Sequence, residues 1–233
     1  MSDAQIPYSG TDNLEVMAEA VNYNRFLAKL LLDQAAVDDR ILDFGAGIGT
    51  FTRMVREQGY RISGVEIDPA LRYAIVGQGI PCAASLDELG DATADFIYSL
   101  NVMEHIEDDA AALRGLLRVL APGGRLLLYV PAFTCLYSAM DRKVGHVRRY
   151  RKRALSLLLQ RCGFTVSEAR YIDSLGFLAS LAYKVFGNDS GDIDRASLRL
   201  YDRFIFPASC ALDRVASPFF GKNLLVLARR TEA

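Results

Sequence analysis

The run Ile41-Leu42-Asp43-Phe44-Gly45-Ala46-Gly47-Ile48-Gly49-Thr50 constrains this chain more than any other segment. A short apolar stretch passes directly into a loop with glycine at every second position, and a helical pattern follows. Glycines there let the backbone adopt dihedrals closed to other residues and approach a ligand closely, so the run reads as buried strand, ligand-binding turn and helix. A nicotinamide dinucleotide site would show GxGxxG, whereas glycines at 45, 47 and 49 give GxGxG with Thr50 in the third place. Asp43 also tells against a pyrophosphate, which a carboxylate at the loop would repel. It suits a ligand bearing ammonium or sulfonium charge, and a nicotinamide-dependent oxidoreductase stands behind that reading.

The rest of the chain repeats the alternation. Residues 40–44, 61–66, 95–100 and 125–130 are short apolar or β-branched runs separated by helical patterns, which is the signature of a parallel sheet covered by helices. Helices are expected at about 14–33 and at 110–120, the latter stopped by Pro122, Gly123 and Gly124. Beyond Arg153 the pattern gives a helix to about Cys162, a strand at 164–169 and a last strand at 223–229. The stretch between these strands, about 172–222, is far longer than a hairpin needs and is rich in Leu, Phe, Tyr and Ala, so two or three amphipathic helices are expected there. The expected architecture is a single α/β domain, doubly wound, spanning 1–233.

Composition supports a globular core, with 51% hydrophobic residues. Lys and Arg (27) nearly balance Asp and Glu (28), so net charge offers no attraction to nucleic acid or acidic lipid. Cys82, Cys135, Cys162 and Cys210 are scattered without a CxxC pair, and no metal-ligand spacing points to a bound metal. The amino terminus lacks a secretory pattern and no run of about 18 apolar residues spans a bilayer, so a cytoplasmic protein with reduced thiols is expected.

A second acid, Glu66, closes the next strand in Ile62-Ser63-Gly64-Val65-Glu66, where a carboxylate can accept from both hydroxyls of a ribose; Asp68 is expected to begin the following helix through Pro69. Together with Tyr98-Ser99-Leu100-Asn101-Val102-Met103-Glu104-His105-Ile106, these motifs make residues 40–130 resemble the class I S-adenosylmethionine-dependent methyltransferases of the bacterial small-molecule or lipid-intermediate type. The resemblance implies a seven-stranded, mostly parallel, Rossmann-like sheet whose last strand is antiparallel, with the helical insert between strands six and seven on the substrate side. It implies S-adenosylmethionine as cofactor, with Asp43, Gly45 and Gly47 at its methionine part, Glu66 at the ribose, and Ala46 and Ile67 also among the cofactor-binding residues. Ser85 and Leu86 would meet the adenine, and Asn101 the region of the sulfonium. Tyr23, in Asn22-Tyr23-Asn24-Arg25-Phe26, resembles a residue of the helix that caps the cofactor in such enzymes; an ordinary amphipathic face is the alternative.

Methyl transfer is an in-line displacement, so the protein has to align the nucleophile and, for a hydroxyl, remove its proton. The chain has two histidines, His105 and His146, both near the carboxyl ends of expected strands. His146 is the first candidate for a catalytic group and His105 the second, with a loop-orienting role as its alternative. Arg148, Arg149 and Tyr150 follow His146, and guanidinium groups there could clamp an acidic group of the acceptor; Arg151 to Arg153 fit the solvated face of a helix. The leading expectation is O-methylation of a small or lipid-like acceptor, with the insert as lid, peripheral membrane contact or dimer interface. A cofactor-binding partner of a biosynthetic enzyme is the alternative. Nucleic-acid methylation lacks both an asparagine-proline-proline-aromatic signature and a basic, aromatic-interleaved patch.

Overall fold

The computed structural model describes residues 16–186 and 194–231. A seven-stranded sheet runs in the order β3-β2-β1-β4-β5-β7-β6. Its strands are β1 (Arg40–Phe44), β2 (Arg61–Val65), β3 (Cys82–Ala83), β4 (Ala94–Leu100), β5 (Leu120–Pro131), β6 (Phe164–Ile172) and β7 (Asn223–Arg230). All neighbouring pairs from β3 to β5 are parallel, and β7 runs antiparallel to both β5 and β6. The doubly wound expectation with an antiparallel last strand therefore holds.

The connecting helices are α1 (Val21–Leu32), α2 (Thr50–Glu57), α3 (Pro69–Gly77), α4 (Asp109–Val119), α5 (Ala139–Lys143) and α6 (Lys152–Arg161). The insert between β6 and β7 holds α7 (Ser174–Phe186), α8 (Arg195–Leu200), a π-helical turn at Tyr201–Ile205 and α9 (Phe206–Ala216). Alternation along the central strands divides the core between the two faces of the sheet. Ile41, Phe96, Tyr98 and Leu127 pack with Leu27 and Leu31 of α1 and Val55 of α2. Their neighbours Leu42, Ile97, Leu126 and Leu128 pack with Leu113 and Leu116 of α4 and Leu155 and Leu159 of α6. Each helix layer thus buries one face of strands that are apolar on both, as parallel strands must be.

Two boundaries differ from the sequence reading. The expected helix at 14–33 is one helix only from Val21, because the chain turns at Glu19 and Ala20; residues 14 and 15 lie outside the described residues. Pro122, Gly123 and Gly124, read as a helix stop, lie inside β5. Leu120 already pairs with Ala94, and the register shift before Phe96 pairs with Arg125 absorbs the intervening residues, with Gly123 at φ +75°. Asp68 does cap α3, its carboxylate accepting from the N–H groups of Ala70 and Leu71, with Pro69 in the first turn.

Two buried aspartates fasten the insert. Asp213 of α9 accepts from the N–H groups of Asp173 and Ser174, the start of α7. Asp202 in the π turn accepts from the N–H groups of Asn22 and Tyr23 at 3.0 and 2.8 Å, capping α1 from far along the chain.

Candidate active site

Strand order reverses between β1 and β4, and the carboxyl ends of these strands diverge there into a crevice. The crevice is a mainly apolar cavity of about 820 Å³, within the range that holds a nucleoside-sized ligand with a smaller molecule beside it. Every cofactor residue expected from the sequence lines it: Tyr23, Asp43, Gly45, Ala46, Gly47, Glu66, Ile67, Ser85, Leu86 and Asn101.

The glycine loop is shaped by its conformation. Gly45, Gly47 and Gly49 have φ of +82°, +55° and +77°, and a Cβ on Gly45 would overlap the Val102 side chain. Glu66, immediately after β2, accepts from Gly47 N–H at 2.7 Å and from Asp68 N–H at 2.9 Å, which joins the glycine loop to the second strand's exit. Asp43 is buried and accepts from Thr52 Oγ1 at 2.6 Å and Tyr98 hydroxyl at 2.8 Å. Burial pushes its carboxyl up to about 7, outweighing those two hydrogen bonds. Asp87, which the sequence reading passed over, lines the cavity beside Ser85 and Leu86. Asn101 holds φ +54° at the end of β4 while its N–H is bound to Tyr129 carbonyl at 2.8 Å, a strained conformation at the cavity wall.

Both histidines line the same cavity. Their rings meet edge to face with centroids 4.7 Å apart. His146 Nδ1 lies 2.7 Å from Asp141, and Asp141 in turn accepts two hydrogen bonds from Arg149 at 2.8 and 3.0 Å. Burial alone would raise the Asp141 carboxyl; the bonds from His146 and Arg149 reverse this and hold it well below the usual carboxylate range. Burial, helped by the neighbouring His146, lowers His105 to about 4. Behind both rings lies Glu104, fully buried, whose carboxyl burial pushes up to about 8.

Arg148, Arg149 and Tyr150, expected to meet the acceptor, each engage partners within the protein. Arg148 donates to Asp109 Oδ2 and to Glu107 carbonyl, both at 2.7 Å, and Tyr150 is buried with its hydroxyl bonded to Met103 carbonyl and Asp109 at 3.0 Å. Neither lines the cavity. They clasp the loop after β4 to the segment after β5 and so set the two histidines side by side. Arg149 does line the cavity, but its guanidinium is occupied by Asp141. The sequence signal for these partners was present in the acids of Glu107-Asp108-Asp109 and Asp141. Tyr98 gave no such signal, because its partner Asp43 lies far off in the chain.

A family profile described as methyltransferase domain matches residues 17–169. The chain belongs to this methyltransferase family. A Mycolicibacterium smegmatis protein named as a probable S-adenosylmethionine-dependent methyltransferase is 29% identical over 136 residues, covering 55% of this chain and 52% of that protein. The malonyl-[acyl-carrier protein] O-methyltransferase of Serratia marcescens is 33% identical over 101 residues, 38% of this chain and 37% of its own length. The chain thus spans about half or less of the length of these curated relatives. Among solved structures, the 1,6-didemethyltoxoflavin-N1-methyltransferase of Burkholderia thailandensis, with 1,6-didemethyltoxoflavin and S-adenosylhomocysteine bound, superposes with a TM-score of 0.60 at 20% identity. That match covers 95% of this chain and 83% of the other. No helix among the described residues is long and apolar enough to cross a membrane.

Proposed function

We propose that this chain transfers a methyl group from S-adenosylmethionine to an oxygen of a small or lipid-like acceptor. The observation that carries the reading is one cavity lined both by two buried carboxylates beside the glycine loop, Asp43 and Glu66, and by an imidazole pair, His105 and His146. The residues fit the cofactor. Glu66 has lone pairs left over from its two backbone bonds for ribose hydroxyls, and Asp43 supplies the anionic field that a positively charged methionine moiety needs. When bound, S-adenosylmethionine supplies a methyl carbon already activated by positive sulfur.

The remaining tasks fall to the protein. The apolar lining excludes water, Tyr23 on α1 and Asn101 after β4 line the cavity, and the His105–His146 pair receives the nucleophilic oxygen. A hydroxyl has to lose its proton there, and His146, oriented by Asp141, offers the imidazole for an oxygen acceptor to approach. Arg148 and Arg149 are paired to Asp109 and Asp141, so an acidic group on the acceptor is not required for binding here.

A lipid-like acceptor is favoured by the insert. It exposes Leu178, Leu200, Phe204, Val215 and Phe219, with Arg203 and Arg214 among them, a combination suited to peripheral contact with a membrane surface. The deciding experiment incubates the purified chain with radiolabelled S-adenosylmethionine and a panel of phenolic, carboxylic and polyprenyl-linked acceptors. Label transfer to an oxygen sustains the proposal, whereas cofactor binding without transfer to any member favours a non-catalytic partner.

A further inference from the structure

We propose that Glu104, His105 and His146 form a binding site for one divalent transition-metal ion of the zinc class, at the acceptor end of the cavity. One ligand atom from each of the three residues lies within 4.8 Å of the others, and no second such group occurs among the described residues. His146 Nε2 and Glu104 Oε1 are 3.7 Å apart, too far for a hydrogen bond. Two donors sharing a tetrahedral ion sit about 3.4 Å apart at ordinary metal–ligand distances, close to the spacing this pair already has, and side-chain rotation brings the third ligand in.

Glu104 supplies the second, independent observation. It is fully buried, and neither of its carboxylate oxygens has a hydrogen-bond partner. Buried polar atoms in folded proteins are almost always satisfied, and a carboxylate offers about four lone-pair sites. The group is thus an unsatisfied carboxyl beside two imidazoles, in a place where a cation would satisfy it.

The surroundings follow the pattern of a supported metal ligand. Asp141 holds His146 through Nδ1 and leaves Nε2 turned toward Glu104, while Arg149 fixes Asp141 by a bidentate pair. Two imidazoles and one carboxylate match zinc and its neighbours in the first transition row, whereas magnesium and calcium prefer an all-oxygen set. Three protein ligands leave a coordination position, and His105 and His146 both border the cavity. With the ion bound, both ring nitrogens of His146 would be engaged, and the ion would take over the base's task by acidifying a coordinated acceptor hydroxyl, whose proton passes to solvent water while the ion stabilises the oxyanion. This last role rests on the methyl-transfer reading, while the binding of the ion does not.

The test uses Co²⁺ alone, added to the full chain without cofactor or acceptor and followed by visible absorption, with Zn²⁺ equilibrium dialysis for stoichiometry. One ion per chain is expected, with affinity reduced at least about tenfold in both Glu104→Gln and His146→Ala. Circular dichroism establishes that each variant is folded, and Glu104→Gln, which removes a buried acid and keeps its shape, guards against misfolding. Absence of saturable binding, or binding unchanged in both folded variants, overturns the proposal. Calorimetry with S-adenosylmethionine separates the two readings: a chain that takes Co²⁺ but no cofactor defeats methyl transfer alone, and one that takes cofactor but no metal defeats the metal site alone.

Discussion

Glu66 accepts a hydrogen bond from the backbone N–H of Gly47 at 2.7 Å, and this bond ties the exit of β2 to the glycine loop after β1. One carboxylate therefore both shapes the loop and faces the cavity. Glu66→Ala is expected to weaken S-adenosylmethionine binding by about 1.5–3 kcal/mol, roughly ten- to a hundredfold, because a charged acceptor is lost and a loop N–H is left unpaired. Glu66→Gln, which keeps one carbonyl acceptor, should fall between. Calorimetric titration measures both, and equal affinity for wild type and Glu66→Ala would remove Glu66 from the site.

Asp43 makes cofactor binding depend on pH. With its carboxyl raised to about 7 by burial, the ligand-free folded protein holds a proton there that an unfolded chain has released above about pH 4. This group's stabilising contribution is fully present below pH 4 and is lost as pH rises through 7. A cationic ligand favours the ionised form, so affinity should increase from pH 6 to 8 and binding near pH 6.5 should release a proton. Calorimetry in buffers of different ionisation enthalpy reads the proton directly. Asp43→Asn should abolish the release, and a wild type that binds without it would refute the assignment.

Gly45 carries two separate constraints, a φ of +82° and contact with Val102. Gly45→Ala should cost about 1–3 kcal/mol of stability, read by urea denaturation. Adding Val102→Ala should recover the steric part and leave the backbone part, so full recovery would show that the positive φ imposes no strain.

What could be read from the sequence was whatever depends on neighbours along the chain. The glycine loop, Asp43 and Glu66 each sit at a strand end whose place is dictated by the apolar run before it, and Asp68-Pro69 announces a helix start. The acceptor end is assembled otherwise. Glu104 and His146 approach only after α4 and β5 have returned the chain across the sheet, so no spacing couples them. The arginines after His146 read as available because a charge run gives no register to its partners; folding assigned them Asp109 and Asp141. Pro122, Gly123 and Gly124 read as a helix stop, but the same turn chemistry serves a bulge inside β5, and only pairing with β4 reveals which.

Asp141 and Arg149 are both nearly inaccessible, with side-chain exposures of 1% and 8%. Asp141→Ala leaves the guanidinium buried without its carboxylate and should destabilise by about 3–5 kcal/mol. The double replacement Asp141→Leu with Arg149→Met removes both charges and should be markedly more stable than the single variant. Thermal melting compares the three, and a single variant as stable as wild type would mean that the pair contributes nothing.

Asp202 offers the test of whether the insert governs the cofactor. Its carboxylate caps α1 by accepting from Asn22 and Tyr23 N–H, and Tyr23 on that same turn lines the cavity. Asp202→Ala should lower stability by about 1–2 kcal/mol, the ordinary cost of losing a cap. If the π turn and α1 close together over the cofactor, the variant should also release S-adenosylmethionine several-fold faster while association changes little, since affinity changes among variants usually lie in the off-rate. Stopped-flow measurement with tyrosine fluorescence separates the rates. Reduced stability with an unchanged release rate would make Asp202 a helix cap and nothing more, and would leave the insert without control over the site.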